Sequence, residues 1–227
     1  MTTPYYANES VTLYHGDCRE ITAWLAADVL VTDPPYGVQH SAHGHNAPAI
    51  TGEIRTGRAS DRVLGPEHVD VRDAALRLWS PRPAMVFGHW RAPKPAVTRM
   101  RLVWDKQTIG MGGVGAWRPS DEEIYICGDW PNPKDVGGSQ GSVIRSNALR
   151  GESRPDHPTP KPVALMERLL ADVPPGVIAD PFAGSGSTLL AARNCGRTAI
   201  GVEVEERYCE LIASRLDQGV LDFGAVS

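Results

Sequence analysis

A chain of 227 residues, 41% hydrophobic and 22% charged, has ordinary globular composition and can bury one sizeable core. A net charge of −4 and a pI near 6.0 argue against a protein that coats nucleic acid indiscriminately, while leaving room for a local basic groove. No apolar run reaches the roughly 18 residues of a membrane helix, and Met1 to Ser10 lacks the basic and apolar segments of a signal peptide, so the sequence predicts a cytoplasmic enzyme with no membrane partner.

In chain order, Val11 to Tyr14 reads as a short strand ending in His15-Gly16-Asp17. Cys18 is the first of four cysteines, with 127, 195 and 209; no C-x-x-C spacing occurs, so reduced, partly buried thiols are expected rather than a zinc finger or redox pair. Asp28 to Thr32 is a continuous apolar run of the kind found inside parallel sheets, and it enters Asp33-Pro34-Pro35-Tyr36 directly. Residues 37–65 show no periodicity and form a long loop. Glu67 to Trp79 carries Val71, Ala74, Ala75 and Leu78 at helical spacing and stops before Pro81; Ala84 to Gly88 is the next strand, which completes a βαβ unit. Pro93 to Met100 is a weak helix, and Arg101 to Trp104 and Glu123 to Cys127 are two further strands around a glycine-rich loop, Gly110 to Gly115. Val163 to Val173 is an amphipathic helix with Pro162 at its start. Val177 to Ala179 is a strand leading into Asp180-Pro-Phe-Ala-Gly-Ser-Gly-Ser-Thr188; a helix ending at Gly196, a strand over Thr198 to Val204 and a last helix over Glu206 to Leu216 follow.

This alternation predicts an α/β fold: a doubly wound, Rossmann-like, mostly parallel seven-stranded sheet with helices on both faces, in one domain spanning 1–227. Such sheets bind ligands beyond the carboxyl ends of their strands, and Asp17, Asp33, Asp180 and Glu203 all fall there.

The glycines of 180–188 suit a tight turn before a helix N-terminus. A phosphate loop would need a lysine, absent from Asp180 to Arg193, and Leu189 stands where a dinucleotide fingerprint needs its third glycine. Two readings stand: a loop for an adenosine-type ligand without pyrophosphate, or a structural glycine turn. Glu203, 17 residues beyond Gly186, is placed to take ribose hydroxyls, with a solvated charge as the bland alternative. At 33–36 the prolines stiffen the backbone and remove two N–H donors. That leaves the Asp33 carboxylate and the Pro34 carbonyl as paired acceptors beside the Tyr36 ring, a grip for an aromatic –NH₂ group; a proline turn capping a strand is the alternative.

These segments together resemble the DNA amino-methyltransferases, which make N6-methyladenine or N4-methylcytosine. Asp33-Pro34-Pro35-Tyr36 matches their [DNS]-P-P-[YFW] catalytic signature. Asp180 to Thr188 matches D-P-F-x-G-x-G-T with an extra Ser187, His157-Pro158-Thr159-Pro160-Lys161-Pro162 matches H-P-T-x-K-P, and Gly201-Val202-Glu203 resembles the acidic motif. The catalytic motif precedes the cofactor motif, as in the circularly permuted β class. The resemblance implies S-adenosyl-L-methionine as cofactor, held by Asp17, Asp33, His157, Pro158, Thr159, Lys161, Asp180, Phe182, Ala183, Gly184, Ser185, Gly186, Thr188, Glu203 and Val204, with Asp17 near its adenine. It implies direct methyl transfer to a flipped base: Tyr36 stacks on the base, and Asp33 and Pro34 accept its amino hydrogens. No cysteine follows a proline, which argues against carbon-5 cytosine chemistry. A leading Asp leans toward adenine, with cytosine N4 as the alternative. Related RNA and protein-glutamine methyltransferases commonly begin the motif with Asn and place the cofactor motif first; a non-catalytic DNA-binding homologue would not be expected to keep all three motifs intact.

The chain departs from the family by lacking a large recognition insert, so DNA reading falls to short segments within 37–65 and 106–156. Arg55, Arg58, Arg62, Arg91, Lys94, Arg145, Arg150 and Arg154 are candidates for phosphate contact on double-stranded DNA. No metal is expected: His40, His43 and His45 lack a cysteine or carboxylate partner at ligand spacing. The resemblance also implies a homodimer and, among partners, a cognate restriction endonuclease.

Overall fold

The computed structural model describes residues 2–35, 69–108, 116–132, 139–148 and 160–221. One nine-stranded sheet organises them, in the order β1-β2-β9-β8-β3-β4-β6-β5-β7. Its centre is β3 (Val29–Thr32), whose neighbours are β8 (Ile178–Asp180) and β4 (Ala84–Gly88), both parallel to it. Beyond β8 lie β9 (Ala199–Glu203) and β2 (Val11–His15), also parallel. On the other side β6 (Asp121–Cys127) runs antiparallel to both β4 and β5 (Thr98–Asp105). The seven strands read from the sequence are all present. Two short edge strands are added, β1 (Tyr6–Ala7) and β7 (Val143–Arg145), each too brief to show a two-residue alternation.

The two faces are covered by different elements, and β3 shows why its sequence is apolar throughout. Val29 and Val31 join a core with α2 (Val163–Ala171), α3 (Ser187–Asn194) and α4 (Glu206–Leu221), through Leu165, Leu169, Leu189 and Ile212. Leu30 points the other way, into a core with α1 (Asp70–Trp79) and a short 3-10 turn, Ala23–Ala26. On that face the rings of Trp24 and Trp79 stack 5.8 Å apart, and each indole N–H donates to a backbone carbonyl, Cys18 O and Pro83 O respectively. Buried indoles are tolerated because their single donor finds a partner.

The expected weak helix over Pro93–Met100 is not formed. The segment is a turn, and β5 already begins at Thr98, whose hydroxyl donates to the Pro95 carbonyl at 2.6 Å. Two prolines within three residues withhold amide donors, so Ala96, Val97 and Met100 fall at helical spacing without a helix to use it. All four cysteines are free; Cys18, Cys127 and Cys209 are buried and Cys195 is exposed. No described helix is long and apolar enough to cross a membrane.

Candidate active site at the sheet switch point

From β8 the chain proceeds by α3 to β9 on one side, and from β3 by α1 to β4 on the other. Where connections diverge from two adjacent parallel strands, the loops after them splay apart and leave a crevice. The Asp33-Pro34-Pro35 turn and the 180–188 loop flank it. Asp17, Glu203, Asp180 and Asp33 end or follow four consecutive strands, β2, β9, β8 and β3.

The four carboxylates do not share one environment. Asp180 is 2% exposed; it accepts from the Thr32 hydroxyl at 2.6 Å and the Phe182 amide at 3.2 Å. Burial is the chief influence on it and pushes its pKa up to about 6, against the hydrogen bonds of Thr32, Thr188 and Phe182. Asp180 therefore ties β8 to β3 from within the buried turn, with little of its carboxylate open to solvent. Glu203, also buried, takes the Gly184 amide on Oε2 at 2.7 Å and the Glu205 amide on Oε1 at 2.9 Å. Burial raises its pKa, with those amides acting in opposition. Asp17 is half-exposed and closed on Arg19, whose backbone N–H and guanidinium both donate to it; those bonds lower its pKa.

The 180–188 loop is fastened on several sides. The Ala183 amide donates to Val202 O at 3.0 Å, the Ser187 hydroxyl to Lys161 O at 2.7 Å, and Arg215 of α4 to the Ser185 carbonyl. Gly186, the N-cap of α3, has φ 80°, and a Cβ there would lie 2.8 Å from Ile212 Cγ1. This glycine is required by the helix packing as much as by any ligand. Ser185, Ser187 and Thr188 are buried within the turn, while Phe182 is half-buried against the Trp24 core. Val204, by contrast, is 64% exposed beside Glu203.

Asp33 is joined to a residue far along the chain. Lys161, only 7% exposed, donates through Nζ to Asp33 Oδ2 at 2.5 Å. The same Nζ lies 3.2 Å from Glu122 Oε2, and Glu122 Oε1 is 2.6 Å from Lys106 Nζ. Lys106–Glu122–Lys161–Asp33 is thus a row of alternating charges. Burial opposes the Lys161 charge, but Asp33 and Glu122 outweigh it and raise its pKa. Burial likewise opposes the Glu122 carboxylate; Lys161 and then Lys106 outweigh it, and its pKa is lowered. Each charge in the row thus stands beside one of opposite sign.

Sequence reasoning did not single out Glu122 or Lys106. A signal was present: Glu122 is in phase with Ile124, a core residue of the α2 face, and a carboxylate at such a position requires a partner. It also passed over Trp90 and Trp117, 64% and 84% exposed, which follow β4 and precede β6 at the carboxyl edge. Trp90 stacks on His89 and carries the Arg91 guanidinium 4.7 Å from its ring centre. Of the candidate DNA contacts, Arg91 stands just beyond β4, Lys94 lies exposed in the following turn, and Arg145 ends β7, 3.5 Å from Asp105. Tyr36, His157, Pro158, Thr159, the histidines at 40, 43 and 45, and Arg55, Arg58, Arg62, Arg150 and Arg154 lie outside the described residues. Among the described residues no His/Cys/Asp/Glu group could hold a metal ion.

The sequence profile of the DNA methylase family, covering N6 and N4 methyltransferases, matches residues 85–214, more than half of the chain. The type II methyltransferase M.ScaI of Streptomyces caespitosus is 27% identical over 94% of this chain and 84% of its own length. The DNA adenine methyltransferase YhdJ of Escherichia coli (strain K12) is 25% identical over 93% and 84%. Among solved structures, the M1.HpyAVI–SAM complex superposes with a TM-score of 0.61 at 20% identity, covering 91% of this chain and 99% of that one. The cytosine-N4-specific PvuII DNA methyltransferase reaches a TM-score of 0.61 at 15% identity, covering 93% and 88%. The structural likenesses establish a shared fold.

Proposed function

The chain belongs to the DNA methylase family of N6 and N4 methyltransferases, and from that premise we propose that it is a site-specific enzyme transferring a methyl group from S-adenosylmethionine to the exocyclic amine of a flipped base, adenine N6. The observation that carries this reading is the meeting of Asp33 and the 180–188 loop across adjacent strands, with the Asp33 carboxylate clamped by a buried lysine.

The donor set suits the cofactor. Each Glu203 oxygen takes one backbone amide and has a second acceptor site for a ribose hydroxyl. Val204 supplies exposed apolar surface beside it for an adenine face, and Asp17 lies on the neighbouring strand. The 180–188 loop has no lysine for a pyrophosphate. The bound cofactor supplies an electrophilic sulfonium methyl group. The chain's own residues do the rest. The loop and Glu203 fix the cofactor's place. Asp33 and the Pro34 carbonyl accept the two amino hydrogens, which aims the nitrogen, and the carboxylate stabilises positive charge growing there. Tyr36 stacks on the extruded base, whose removal from the duplex costs a few kcal/mol.

Adenine is favoured by the leading Asp of the motif and by the likeness to YhdJ. Duplex DNA is the partner that exposed Trp90, Trp117 and Arg145, with half-buried Arg91, suit at the carboxyl edge. The likeness to a type II methyltransferase supports a cognate restriction endonuclease as a further partner, and the small recognition region supports pairing of two copies.

The test is Asp33→Ala. Transfer of labelled methyl from cofactor to DNA should fall at least about a thousandfold, while calorimetric cofactor binding persists. Retained transfer overturns the assignment. Nucleoside mass spectrometry of DNA methylated by the wild type should show N6-methyladenine; N4-methylcytosine overturns the choice of base.

A further inference from the structure

We propose that Glu122 is a positioning residue for methyl transfer, acting on Asp33 through Lys161; the inference rests on the methyltransferase reading above. The charge row follows the carboxyl edge of the sheet on the α2 face. Asp33 follows β3, the Lys161 ammonium sits 5.0 Å from the centre of the Phe87 ring of β4, Glu122 is on β6, and Lys106 follows β5, 5.3 Å from the Trp104 ring. It therefore connects the reacting carboxylate to strands carrying none of the family motifs.

A lysine side chain has a flexible four-carbon stem, and one carboxylate does not hold its ammonium in a single place. Here two carboxylates hold it, Asp33 at 2.5 Å and Glu122 at 3.2 Å. The contact with Glu122 Oε2 is an ion pair that falls short of hydrogen-bond alignment, and among the described residues that buried oxygen has no hydrogen-bond partner. Nζ is thus aligned on Asp33 and drawn toward Glu122. Lys106 fixes Glu122 in turn through its other oxygen, Oε1. The consequence for Asp33 is a carboxyl group whose rotation is set through Oδ2. Stabilising charge on an attacking nitrogen depends on an acceptor already oriented before reaction, so loosening Lys161 costs rate more than affinity.

The experiment is a double-mutant cycle on the full chain with Glu122→Gln, Lys161→Met and both, read by single-turnover methyl transfer at saturating cofactor and DNA. Glu122→Gln should lower the rate constant about tenfold or more. Cofactor Kd should change less than about threefold, and in the Lys161→Met background the same substitution should cost less than about twofold. Glu122→Asp, which keeps the charge, should recover part of the loss, and it carries the test if Lys161→Met does not fold. A wild-type rate for Glu122→Gln overturns the inference, as does an equal proportional loss in both backgrounds or an Asp variant no better than Gln. A wild-type chain that transfers no methyl group overturns the functional reading itself and this inference with it.

Discussion

Replacing Asp180 by Asn should change how stability depends on pH, and the size of the change follows from the burial of the carboxyl. Asp180 is 2% exposed and its pKa rises from the usual 3.8 to about 6. Burial drives the rise; the Thr32, Thr188 and Phe182 hydrogen bonds oppose it, and the Asp33 carboxylate adds to it. The folded state thus keeps a proton that the unfolded state releases. Stability contributed by this group is present below about pH 4 and is lost as pH climbs through about 6. At about 1.4 kcal/mol per tenfold in proton affinity, the full loss is about 3 kcal/mol, of which about 2 falls between pH 4.5 and 7.5. Asn keeps the shape and one acceptor oxygen and does not titrate. Urea unfolding of both proteins across that range should show the wild type losing about 2 kcal/mol relative to Asp180→Asn. At a typical slope near 2 kcal/mol per molar, that is about 1 M in midpoint. Midpoints that move in parallel would show that burial does not raise the Asp180 pKa in the fold, which would refute the account of this loop.

Glu203→Gln keeps the side chain's size but sets an NH₂ group against one of the two backbone amides that Glu203 now accepts, and it removes the charge offered to a ribose; cofactor Kd measured by calorimetry should rise about 10- to 100-fold. An unchanged Kd would remove Glu203 from the binding site. Gly186→Ala forces a side chain into a left-handed position and a Cβ to within 2.8 Å of Ile212, so it should cost about 2–3 kcal/mol and lower Tm by about 5–10 °C. A Tm within about 2 °C of wild type would show that α4 gives way at this contact.

Where the sequence was legible, one physical pattern dominated. Strand β3 is apolar on both faces because helices cover both, and that run, entering Asp-Pro-Pro, marks it as a central parallel strand of the sheet. The 180–188 loop was legible through its glycines, but the division of labour inside it was not: the sequence suggests four carboxylates on a shared edge, whereas Asp180 is buried within the turn. That distinction depends on Thr32, which lies on another strand and carries no sequence signal of its own. Glu122 escaped for a related reason. Its partners Lys161 and Lys106 are brought to it by the antiparallel β5–β6 pair and by the approach to α2, contacts that sequence spacing does not encode.

At the carboxyl ends of adjacent strands β3 and β8 stands an Asp-Pro pair followed by an aromatic residue within two positions, yet the two aspartates sit in different surroundings. The divergence follows from what each meets. Asp180 meets hydroxyls and an amide from its own loop and from Thr32, is sealed from water, and is pushed toward the neutral acid. Asp33 remains partly open to the crevice and meets a lysine fixed by a second carboxylate. A buried carboxyl turned onto a hydroxyl and an amide suits holding a loop, because its oxygen is already engaged within the fold. An ion-paired group at the crevice suits opposing positive charge, because its partner orients it beforehand. On the proposal above, environment and not residue type sets the role, and the lysine and glutamate behind Asp33 belong to the site as much as the motif that contains it.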